Sequence, residues 1–230
     1  MIPLFYALIT SSATIVGGVL PMYTRLRHIE YRYLIAFAGG AMVAIALFDL
    51  IPEMETHNAA TLLLGFFSIY LLEKLVLIHT CQEEECETHT IGGPALMGIA
   101  AESLIDGLAI AVGFRVAPAL GLLIALAVFA HELPRGLTTT VIMQKAGYSR
   151  TKVWAALAID AGFAPPGVLL SGLIPTSAFD PLVGFTAGIF LYVGGSDLLP
   201  EAHRRFNSRV VLATLAGGGL IPVLGMIVGR

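Results

Sequence analysis

A chain of 230 residues with 57% hydrophobic and 13% charged side chains and a mean hydropathy of +0.84 lies far from the soluble norm of about 45–50% apolar and about 25% charged. Its 13 basic and 16 acidic residues leave a net charge of −3, which offers no basic field to nucleic acid and excludes that class of partner. The composition is that of an all-α integral membrane protein whose first partner is the lipid bilayer.

Apolar runs of spanning length fall at 3–20, 34–51, 61–79, 93–114, 119–143, 152–173, 181–200 and 210–229. The sequence therefore predicts eight transmembrane helices in a single domain, 1–230. The first run lacks a basic start and flows into a full-length span, so it reads as a helix and not as a cleaved leader. The linkers are short and carry the charges. Arg25, Arg27 and Arg32 lie in the first, Lys145, Arg150 and Lys152 in the fifth, and Arg204, Arg205 and Arg209 in the seventh; even-numbered linkers hold only Arg115, and the C-terminus Arg230. Positive charge gathers on the cytoplasmic side. Odd linkers are thus expected inside and both termini outside, in a multi-pass protein of the cell membrane.

The second span holds Phe37-Ala-Gly-Gly, then Met42 in Gly-Gly-Ala-Met, and ends Phe48-Asp49-Leu-Ile-Pro52-Glu53. The third ends in Glu73-Lys74, a neighbouring ion pair or a snorkel, and runs into His79-x-Cys81-x-Glu83-Glu84-Glu85-Cys86-Glu87-x-His89. Facing a reducing cytoplasm, Cys81 and Cys86 are not expected to form a disulfide. With His79 and His89 they form either a transient metal-binding loop or a solvated acidic one.

Spans four and five repeat each other at an offset of 29 residues: Glu102-Ser103-Leu-Ile-Asp106-Gly107 aligns with His131-Glu132-Leu-Pro-Arg135-Gly136. First and fifth positions share a helix face one turn apart. Glu102, Asp106 and His131 would offer two oxygens and an imidazole nitrogen, a set that suits zinc, manganese or ferrous iron better than copper(I) or calcium. Ionisable groups inside spans usually face a pathway or a partner; a purely structural Glu–Arg, Asp–Arg network is the alternative. His131-Glu132-x-x-Arg135 also begins like the zinc-protease signature, but the second histidine is absent and a permanent cation stands in its place.

In the sixth span Asp160 offers Arg135 the alternative direction, facing away from the site, and Pro165-Pro166, like Pro134, lies inside a helix. The seventh repeats the second after 148 residues, as Phe185-Thr-Ala-Gly and Ser196-Asp197-Leu-Leu-Pro200-Glu201, followed by Ala-His203. With the second and seventh spans running in opposite directions, the copies reach opposite mouths, as in an inverted-repeat transporter. Gly217–Gly219 and Gly225 in the last span permit close helix contact.

On these motifs the chain resembles the ZIP (Zrt/Irt-like) family of divalent-metal transporters, and prokaryotic members in particular, along nearly its whole length. The resemblance implies a three-plus-two-plus-three helix arrangement, pseudo-symmetric about the central pair, often as a homodimer, with the four site-bearing helices moving as a body. It implies a first metal site of Met42, Glu102, Asp106 and His131, and a second site using Ser103 and Glu132 with shared carboxylates. Here the sequence departs: Arg135 stands where relatives often have a bridging glutamate or histidine, Ala164 precedes Pro165 where some place an acid, and Ser103 is a weak ligand.

The sequence reading is therefore an importer of divalent transition metal, zinc favoured, with iron, manganese and cadmium as further candidates. The ion is cargo and no cofactor is implied. The ion enters past Asp49 and Glu53, dwells at one site because Arg135 replaces the second metal, and leaves past Asp197, Glu201 and His203. Uptake is not an enzymatic reaction. Alternatives are a transport-impaired metal-sensing relative and, remotely, an intramembrane metallohydrolase built on His131, Glu132 and Asp106.

Overall fold

The computed structural model describes residues 1–23, 32–54, 59–80, 93–204 and 207–228. Among them every regular element is helical: α1 (Ile2–Tyr23), α2 (Arg32–Ile45), α3 (Ala59–Thr80), α4 (Gly93–Val116), α5 (Pro118–Lys145), α6 (Arg150–Leu170), α7 (Phe179–Leu191), the short α8 (Leu199–Ala202) and α9 (Ser208–Val228). Each apolar run falls on one long helix or helix series, with ends shifted by a few residues. Six of these stretches are long and apolar enough to cross a membrane, and Ser208–Leu224 is a shorter apolar one.

Helix α1 is apolar on the outside and small or polar within. On α1 the buried face is Ala7, Thr10, Ser11, Thr14, Gly17, Gly18 and Pro21, while Phe5, Leu8 and Val16 are exposed. Without a hydrophobic force between helices in lipid, small residues let backbones approach and packing holds them. The tight approaches are reciprocal. A side chain added at Gly17 would meet the Leu133 carbonyl at 2.0 Å, and one at Gly136 would meet the Thr14 carbonyl at 2.1 Å, locking α1 to α5. Gly107 and Gly167 clasp α4 and α6 in the same way, against the carbonyls of Ala164 (1.9 Å) and Leu104 (2.0 Å).

Helices α1, α4, α5 and α6 thus pack on one another. A second group forms from α2 against α9 and α3 against α7, and the groups meet through α2–α5, α3–α4 and α4–α7. The α5–α6 turn closes at Gly147, whose φ of 77° only glycine adopts without strain; Ser149 Oγ then accepts from Lys152 N at 3.4 Å and starts α6.

The repeat extends to the backbone. Each copy of Asp-x-x-Pro-Glu sits on a π-helical stretch, Ala46–Leu50 after α2 and Tyr192–Leu198 after α7. Ile51 N donates to the Ala46 carbonyl at 2.9 Å, and Leu199 N to that of Gly194, the same i→i−5 bond at the same 148-residue offset. The following residue is Pro52 or Pro200, which has no N–H to keep the i→i−4 ladder in register.

Candidate metal centre

Helices α4 and α5 meet through the faces that carry the repeated motif. Asp106, His131 and Glu132 each bring one ligand atom within 4.8 Å of the others. Their exposures are 2%, 2% and 1%, so the cluster is sealed inside protein. His131 Nδ1 lies 3.3 Å from the Ala127 carbonyl, and because a carbonyl can only accept, that nitrogen carries the proton. In the neutral ring, Nε2 then presents its lone pair. It faces Asp106 Oδ2 at 3.4 Å and makes no hydrogen bond among the described residues.

Glu132 is spoken for at both oxygens. Thr14 Oγ1, delivered by the α1–α5 glycine crossing, donates to Oε2, and Arg135 Nη2 donates to Oε1. Glu132 therefore fits a supporting group better than a free ligand.

Arg135 is the hub. Its Nη2 also meets Asp160 Oδ1 of α6 at 2.8 Å, while Nη1 lies 3.2 Å from Glu102 Oε1 and 3.4 Å from Asp106 Oδ2. One guanidinium so touches four carboxylates from three helices, a use of its planar fork that lysine could not match. Burying such charge is costly unless each group is paired. Here the cation lies among the anions.

The remaining expected residues are spread along the bundle. Met42 is fully buried in the apolar core, close to Gly194, and Ser103 is buried on α4. Glu102 lines a cleft of about 230 Å³ with Glu73, Tyr192 and Asp197, among Ile69, Leu72 and Ile99. Asp197 is exposed there, and Tyr192 Oη donates to Glu73 Oε2. At the opposite end, where α4 turns into α5 at Ala117, Asp49 is buried at 6% and Glu53 lines an outer hollow with Arg115, Phe179 and Asp180. Glu201 pairs with Arg204 at 2.6 Å, and His203 Nδ1 lies 2.9 Å from the Leu199 carbonyl. Lys74 pairs with Glu73 at 3.4 Å. His79 ends α3 with its side chain outside the described residues, where Cys81, Cys86 and His89 also lie.

Thr14 and the place of Glu73 and Tyr192 were missed at the sequence level. Nothing distinguishes Thr14 from other hydroxyls in apolar helices; Glu73, an acid close to a span end, reads from sequence as an ion pair or a snorkel.

Residues 78–225, more than half of the chain, match the sequence model of the ZIP zinc transporter family. The chain is 25% identical over 224 residues to zinc transporter ZIP13 of Pongo abelii, an alignment that covers 84% of this chain and 66% of that protein. It is 30% identical over 142 residues to the zinc transporter ZIP13 homolog of Drosophila melanogaster, covering 57% and 40%. With zinc transporter ZIP10 of Mus musculus the identity is 33% over 109 residues, covering 46% and 13%. The chain thus spans between 13% and 66% of the length of these relatives.

Proposed function

The chain belongs to the ZIP zinc transporter family, and on that premise we propose that it carries a divalent transition-metal ion, zinc first, across the membrane into the cytoplasm. The observation that carries this reading is the sealed cluster of Asp106, His131 and Glu132, with His131 Nε2 facing Asp106 Oδ2 at 3.4 Å. The cargo ion is held by Asp106, His131 and Glu102, with Met42 as the thioether that completes the site after movement. Glu132 and Arg135 stand behind as the occupant of a second ion's place, so the site holds one ion. The chain acts as a transporter and catalyses no reaction.

On our reading of eight spans in a three-plus-two-plus-three order with both termini outside, the Ala117 end is the outer face. On that side an apolar layer from Ile110, Val112, Leu120, Ile124 and Val128 lies between the mouth and His131. On the other side the cleft reaches Glu102 from Asp197. The conformation is inward-facing. The packing of α1, α4, α5 and α6 as one group supports movement of those helices together against the rest.

Uptake of a panel of divalent ions into proteoliposomes tests the function. Asp106→Ala and His131→Ala abolish uptake if the cluster is the site, and unchanged uptake in both would remove it. A protein that binds the ion but moves none is a sensing relative. Orientation is checked by labelling intact cells that carry single cysteines, in a background lacking Cys81 and Cys86. Positions Thr56 and Thr176 react with an impermeant reagent from outside, and Ser149 and Ser208 do not; the reverse pattern would exchange entry and exit.

A further inference from the structure

We infer that Asp160 of α6 is a positioning residue that sets the affinity and one-ion capacity of the site, by anchoring Arg135 away from the cargo ligands. The inference rests on the reading of Asp106, His131 and Glu102 as the cargo site.

The guanidinium is held unevenly. Its Nη2 end is gripped by Glu132 Oε1 and by Asp160 Oδ1 at 2.8 Å. Its Nη1 end faces Glu102 and Asp106 at 3.2 and 3.4 Å, beyond the roughly 2.7–2.9 Å of a strong charge-assisted hydrogen bond. The same cation is therefore both a support for the cargo ligands and their competitor for an entering ion. Which of the two it is depends on what pulls from behind.

Asp160 has 0% exposure. Its Oδ1 meets Arg135, and its Oδ2 is buried with no hydrogen-bond partner among the described residues. A carboxylate at that depth is expensive unless a cation meets it, and the proposed transport path gives it no other use. Glu132 offers the guanidinium only one oxygen, since Thr14 donates to the other. With Asp160 present, two carboxylates draw the guanidinium back, and Glu102 and Asp106 keep two negative charges for a divalent ion. Without it, one carboxylate pulls against two, and Nη1 closes on the cargo ligands.

The test measures zinc binding to the full chain in detergent, with His79, Cys81, Cys86 and His89 replaced so that only the helix site counts. Four proteins form a cycle: unmodified, Asp160→Asn, Arg135→Gln and the double variant. Asp160→Asn is expected to weaken zinc binding about tenfold or more, and the same change in the Arg135→Gln background about twofold or less, because the anchored group is gone. An equal loss in both backgrounds would overturn the inference, since that is the signature of a charge acting on the ion directly or of general damage. If Asp160→Asn alone fails to fold, comparing Arg135→Gln with the double variant still decides. Near-equal zinc affinities support anchoring, and a large difference refutes it. Two ions per unmodified chain would instead sink the one-ion reading, and no zinc bound at all would sink the site; one ion without coupling sinks only the role of Asp160.

Discussion

Asp49 and Asp197 occupy equivalent places in the two copies of Asp-x-x-Pro-Glu, lie within the turn closed by the same π-helical hydrogen bond, and have opposite surroundings. Asp49 is 6% exposed beside Leu50 at 0% and Met54 at 3%. Asp197 stands exposed in the cleft that reaches Glu102. The shared Asp-x-x-Pro-Glu gives the same π bond, because the proline directly after its donor acts within one turn. Exposure is decided elsewhere, by which helices lean across each mouth. On the proposed transport cycle the difference belongs to the conformation, and the opposite conformation exchanges it.

The largest effect expected from this contrast is on thiol reactivity. In detergent, where a water-soluble reagent reaches both ends, Asp197→Cys reacts about a hundredfold faster than Asp49→Cys, the factor for an opening that costs roughly 2.7 kcal/mol. Equal rates would mean that the two mouths are equally open. A smaller effect follows from thinning the apolar layer. Ile124 is fully buried, so Ile124→Ala leaves a cavity costing roughly 2–5 kcal/mol of packing. Part of that loss falls on the closed outer side, so the reactivity ratio narrows toward about tenfold and the melting temperature falls. A lower melting temperature with an unchanged ratio would show that the layer stabilises the fold without closing the mouth. Smallest is the outer contact of Arg115, whose guanidinium lies 4.3 Å from the Phe179 ring centre and joins the two helix groups. An exposed cation–π contact contributes about 0.5–1 kcal/mol, so Phe179→Leu shifts the ratio by about two- to fivefold. A shift in the opposite direction would mean that the contact holds the mouth open.

The sequence made the spans legible because lipid demands long apolar runs, and the paired motifs legible because charges inside such runs are rare. The 29-residue repeat, helical spacing and the family resemblance single out Asp106 and His131, and the cluster brings them together. The two directions weighed for Arg135, toward the site or toward Asp160, were not exclusive, since a guanidinium has two ends and uses both. Thr14 stayed hidden because its partner lies 118 residues away, through a crossing set by Gly17 and Gly136 in helices that periodicity does not pair. The unlike fates of Asp49 and Asp197 were hidden for a different reason: one sequence serves every conformation.

Arg135 also changes what an empty carrier brings back. A bound second ion leaves with the cargo or exchanges, whereas a guanidinium is tethered and stays charged throughout the cycle. As long as at least one of the four carboxylates around it is ionised, the returning site of the proposed cycle carries one negative charge fewer than it would without the arginine. An elementary charge crossing the whole field is worth about 2.3 kcal/mol per 100 mV. The return of the unloaded site is correspondingly less sensitive to membrane voltage, in proportion to the share of the field that the site crosses.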